Sequence, residues 1–223
     1  MFSFSSCFAW FGGHNCSTSE ITFGPTDFKV TVTKLTREEK SLKSLIIFPQ
    51  SGPADIFELS YAKQFCAKGY EVYIINSWSS LKEISAAPEN FYSHAQKAIT
   101  LILANVHTPF IGLFGTGIGG GHTGVAANSQ TKIDSFFIVT GGASNLEPMK
   151  HGELYKTKDI GMAIASEDTL IGDKTQNQIK EFLKPKKVIT VSHNHFLAVA
   201  SVWFFHSDEI IAFFDDSYAN RNF

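Results

Sequence analysis

A chain of 223 residues is long enough to bury one sizeable core. Its 43% hydrophobic and 18% charged residues are those of a globular protein, and a net charge of −2 with a pI near 6.4 excludes the basic face on which nucleic-acid binders depend. No uninterrupted apolar run approaches the ~18 residues of a membrane span, so no membrane crossing is expected.

Residues 1–20 show no clear period and are set apart as an N-terminal segment ahead of a single domain over 21–223. The opening Met1–Trp10 has no basic region and only a short apolar run, which makes a poor signal peptide and favours the cytoplasm. Three cysteines, an odd number, do not suggest a disulfide framework. Cys66 reads as a packed apolar side chain, and Cys7 and Cys16, which flank His14, are candidates for a bridge or a metal site.

Loose alternation over 21–35 predicts early antiparallel strands. A short apolar strand follows at Leu45–Phe48, then a proline-bounded loop, Pro49–Pro53. A helix is expected over 56–68, closed by Gly69, then a strand at Val72–Ile75 and a longer helix over 88–106 opening at Pro88. The alternation repeats as strand Phe110–Phe114, helix 118–129, strand Ser135–Val139, strand Ile160–Ile164, helix 172–183, strand Val188–Val191 and a last helix over 196–215. Repeated β–α alternation with continuously apolar strands means an α/β fold, a mainly parallel twisted sheet with helices on both faces. Residues 143–158 are irregular but too short for a large lid.

In such sheets, sites form at the carboxyl ends of the strands. Four ends carry chemistry here: the loop after Phe48, the glycine turn Gly115–Gly121, Ser166–Leu170, and Ser192–Phe196. A strand, a tight glycine turn and a helix are the setting of the Gly-x-Ser-x-Gly nucleophile elbow. The frame Gly115-Thr116-Gly117-Ile118-Gly119 fits it, with Gly117 where the serine belongs. Chain order runs elbow, acid, histidine, so the sequence resembles the α/β-hydrolase superfamily over about residues 40–216, in a lidless form similar to dienelactone hydrolases and small carboxylesterases.

The resemblance implies that Asp168 is the triad acid and His195 the base, with His193 the alternative base and Glu167 the competing acid. It implies oxyanion-hole amides at Ile118 and at Gln50 or Ser51. Trp78 is a candidate wall of a small, aromatic-rimmed pocket. Thr116 is a weak substitute nucleophile, and His193, His195 and Asp168 lack a spacing that would make them a metal set. No cofactor is implied.

The expected function is therefore hydrolysis of an ester or related acyl bond by a Ser-His-Asp mechanism, acting on a small molecule, with Gly117 supplying the backbone of the elbow and no nucleophile. Two other readings stand beside it. One is a hydrolase relative that binds a ligand or partner without turnover. The other is a nucleotide-binding protein, because Gly115-x-Gly117-x-x-Gly120 also satisfies the dinucleotide fingerprint, with Asp134 near the distance of the ribose-binding acid.

Overall fold

The computed structural model describes residues 16–50, 56–78, 88–141 and 152–221. Eight strands form one sheet: β1 Ser17–Phe23, β2 Val30–Thr36, β3 Lys43–Phe48, β4 Tyr70–Trp78, β5 Phe110–Thr116, β6 Ser135–Val139, β7 Asp159–Ala165 and β8 Lys187–Val191. Between them run helices α1 Ile56–Ala67, α2 Pro88–Leu103, α3 Ile118–Ser129 and α4 Asp173–Leu183, a 3-10 turn at Leu154–Thr157, and finally α5 His195–Ala219. The strand order is β1-β2-β4-β3-β5-β6-β7-β8. β1 and β2 pair antiparallel at one edge, and every pairing from β4 to β8 is parallel. The expected mainly parallel sheet with helices on both faces is what the chain forms.

Period-two alternation sorts the strand side chains between two cores. Leu45, Ile47, Val72, Ile74, Phe137 and Val139 face α1 and α5. Ile46, Phe48, Tyr73, Ile75, Phe136 and Ile138 face α2, α3 and α4. Of the 21 phenylalanines, Phe48, Phe65, Phe110, Phe114, Phe136, Phe137, Phe213 and Phe214 are buried in these layers. Phe214 of α5 lies directly over Gly112 of β5, where a Cβ would come within 2.7 Å of the Phe214 ring. Gly112 thus sets how closely α5 approaches the sheet, and Gly112→Ala should cost about 1–3 kcal/mol by overpacking. A denaturant midpoint equal to wild type would show that α5 is not held at this point.

Three sequence expectations are revised. β1 begins at Ser17, within the stretch read as aperiodic, because its Ser-Thr-Ser-Glu opening is an exposed edge with no buried face to impose a period. α5 contains a segment, Leu197–Ala219, that is long and apolar enough to cross a membrane by length and composition alone, with mean hydropathy 1.4. Its Ala198, Val199, Val202, Ile210 and Phe214 pack into the core beneath the sheet, while Phe204 and Phe205 are exposed.

The third revision concerns the cysteines. Cys66 is not a packed thiol: it is bridged to Cys16 across 50 residues, with Cα atoms 6.4 Å apart. The bridge ties the start of the exposed edge strand to the end of α1. A loop of that length should contribute about 4 kcal/mol by restricting the unfolded chain. Unfolded, unreduced protein should show one titratable thiol and lose thermal stability on reduction; three thiols would disprove the bridge.

Candidate functional site

β5 ends at Thr116 and α3 begins at Ile118, which leaves Gly117 alone to make the turn. It does so at φ 52° and ψ −120°, in the half of the backbone map that side chains disfavour. Its N–H donates to the Val139 carbonyl at 2.9 Å, and its own carbonyl accepts from Gly120 at 3.0 Å. Gly119 lets α3 pass against the end of β3, since a Cβ there would overlap the Phe48 and Pro49 carbonyl oxygens. The Ile118 amide opens α3, where no intrahelical carbonyl is available to it.

The loops after β7 and β8 meet. His195 Nδ1 lies 2.7 Å from Asp168 Oδ2, and the Asp168 side chain is fully buried. Asp168 Oδ1 accepts the Leu170 and Ile171 amides at 2.9 and 3.0 Å. Both carboxylate oxygens are therefore engaged, one in shaping the loop and the other in orienting the imidazole. Glu167, the competing acid, is exposed. His193 lies in the turn before α5, whereas Asn194 caps that helix by accepting the Leu197 amide at 3.0 Å and so makes His195 its first residue. It is His195 that faces Asp168.

Sequence reasoning passed over one residue, Glu58, that ties the loop after β3 to the end of β5. Glu58, in the first turn of α1, is buried; it accepts the Gln50 amide at 3.1 Å and the Thr116 hydroxyl at 2.9 Å. The Thr116 hydroxyl thus points at Glu58 rather than serving as a nucleophile. The Gln50 N–H is engaged by the Glu58 carboxylate. The Gln50 side chain lies over Gly117, where a Cβ would come within 2.7 Å of Gln50 Cγ. Ser51 lies outside the described residues. Trp78 closes β4 opposite Val30, and its side chain is likewise outside them.

Two further residues are buried in unusual states. Thr140, just past β6, is buried at φ 50°, a conformation costly for a β-branched residue. His122 of α3 is buried and stacked near Phe48 at 5.8 Å, and burial lowers its imidazole to about 3. Neither has a sequence signature, because both acquire their state from packing.

The geometry argues against the dinucleotide reading. Asp134 precedes β6 and accepts the Ile111 amide at 2.7 Å, so it sits at the amino edge of the sheet, away from the glycine turn. Among the described residues no three His, Cys, Asp or Glu side chains converge as a metal set. Surface cavities of about 210 and 370 Å³ beside Arg37 and Lys40 also lie at the amino edge.

Solved structures share this architecture. A dienelactone hydrolase from Anabaena variabilis matches with a TM-score of 0.69 at 14% identity, over 89% of this chain and 99% of its own. A Pyrococcus furiosus esterase matches at 0.66 and 12%, over 90% and 91%. A dienelactone hydrolase-like promiscuous phosphotriesterase from metagenomic libraries matches at 0.67 and 12%, over 89% and 98%. No protein-family model and no curated protein matches the sequence. At such identity the likeness is one of fold, and the fold is that of the α/β-hydrolases.

His122 carries a pH prediction. The folded state holds the imidazole neutral down to about 3, whereas the unfolded chain takes up a proton below about 6.5. Its contribution to stability is complete above that value and is lost as the pH falls from 6.5 toward 3. The melting temperature of wild type should fall more steeply over this window than that of His122→Gln. Equal slopes would show that His122 is not the group responsible.

Proposed function

We propose that this α/β-hydrolase-fold protein binds a small carbonyl-bearing molecule of the ester type at the carboxyl edge of its sheet and does not form an acyl-enzyme. The observation that carries this reading is at position 117. The elbow backbone is retained, and the space a nucleophile would fill is taken by the Gln50 side chain. A serine there would need both a strained backbone, at about 1–3 kcal/mol, and displacement of Gln50. The Ile118 amide at the start of α3 supports binding of a carbonyl oxygen. The Asp168–His195 pair supports a hydrogen bond to the ligand, with Nδ1 committed to the acid. The Cys16–Cys66 bridge supports an oxidising compartment in place of the cytoplasm.

The test is gain of acyl chemistry. Gly117→Ser alone should react poorly with a fluorophosphonate, because Gln50 Cγ crowds the new side chain. Gly117→Ser with Gln50→Ala should be labelled at position 117, and adding His195→Ala should slow the labelling by two or more orders of magnitude. Intact mass and peptide mapping read the result. A folded double variant that takes no label would show that Gly117, His195 and Ile118 do not form an acyl site, and the reading would fail.

A further inference from the structure

We propose that the exposed aromatic face of α5 is the docking surface for a segment of the same chain, Met1–Phe11. Of the large hydrophobic side chains exposed among the described residues, the two aromatic ones are Phe204 and Phe205, at 64% and 76% exposure. They form the outer end of a run of neighbouring rings. Between centroids, Phe57 of α1 lies 5.8 Å from Trp203, Trp203 lies 4.1 Å from Phe204, and Phe204 lies 6.4 Å from Phe205. Single exposed apolar side chains need no explanation, whereas a contiguous aromatic surface marks a place where something binds.

The position of Cys16 names the occupant. Cys16 packs against the core that α1 and α5 share, and its bridge to Cys66 holds it beside the last turn of α1. The fifteen residues that precede it lie outside the described residues, and they start from this fixed point on the α1–α5 side of the sheet. An α-helix rises ~1.5 Å per residue, so Phe57 stands about 14 Å along α1 from Cys66. The five links from Cys16 back to Phe11 span up to about 17 Å, and the eight links back to Phe8 up to about 27 Å. Met1–Phe11 is therefore long enough to reach the rings of α5, and Gly12-Gly13 gives the chain freedom to turn toward them.

Composition fits the segment to the surface. Phe2, Phe4, Phe8, Trp10 and Phe11 make five aromatic residues in the first eleven, and residues 1–15 contain no Lys, Arg, Asp or Glu. α5 carries Asp208, Glu209, Asp215 and Asp216 and no Lys or Arg. Anionic lipid headgroups would be repelled by these acids, whereas an uncharged aromatic segment is not. Each ring that docks removes apolar surface from water on both partners. The tether makes docking intramolecular, at an effective concentration on the order of millimolar, so contacts too weak to hold a separate peptide suffice.

The experiment attaches a maleimide nitroxide to Cys7 of the full chain, the one cysteine that the Cys16–Cys66 bridge leaves over. Amide ¹H–¹⁵N signals of α5 are recorded with the label oxidised and after its reduction by ascorbate. In wild type, signals from Ser201 to Asp208 should be lost while the label is oxidised and return when it is reduced. In the double variant Phe204→Ser, Phe205→Ser they should persist in both states; both side chains are exposed, so the fold survives their replacement. As a second reading on unlabelled protein, chymotrypsin should cleave after Phe8, Trp10 and Phe11 at least about tenfold faster in the double variant, because docking protects these bonds. Signals of α5 indifferent to the label, or equal cleavage of the two proteins, would overturn the inference. Concentration-dependent dimerisation of wild type that the double variant loses would assign the face to a second copy of the chain. Sedimentation with phosphatidylcholine vesicles that the double variant loses would assign it to a lipid surface. Either result would overturn the inference as well.

Discussion

Between Thr116 and Ile118 the chain has one residue in which to turn from a fully buried strand into a buried helix, and Gly117 makes the turn at positive φ. The neighbouring geometry follows from that turn. α3 starts hard against the end of β3, the Ile118 amide is presented at a helix start, and the Thr116 hydroxyl is directed into the α1 side toward Glu58. In an active hydrolase the strain at this residue positions a hydroxyl. Here glycine relieves the strain, and Gln50 covers the space left behind.

The second constraint is electrostatic. Asp168 and Glu58 are buried carboxyl groups, and burial of a charge is tolerated where hydrogen bonds replace water. Asp168 has two amides and an imidazole; Glu58 has an amide and a hydroxyl. Asp168 fixes the loop after β7, and Glu58 ties the loop after β3 to β5. The two walls of the site are therefore each built around one acid, with Gly117 between them in the strand order.

Much of this was legible in the sequence where the signal is local. α3 spans 118–129 as expected, because a glycine turn after an apolar strand announces a helix start. The meeting of Asp168 and His195 was legible from their order along the chain. The choice between His193 and His195 was open in the sequence and rests on a cap: Asn194 accepts an amide three residues on, so the helix begins at His195. What escaped notice depends on contacts between distant residues. Glu58 reads as an ordinary first-turn acid, and only the approach of Thr116, 58 residues later, reveals its place. Cys16 and Cys66 are separated by 50 residues, with nothing in their local patterns to join them. Gln50 was singled out for its amide, yet its side chain is the part that covers the elbow.

The central claim is that the unmodified protein holds carbonyl ligands without accepting their acyl group. Rapid mixing of stoichiometric wild-type protein with p-nitrophenyl butanoate, followed by intact mass, tests it most directly. The account predicts no burst of nitrophenolate and no mass increase. A burst equal to the protein concentration, with a butanoyl adduct, would contradict it.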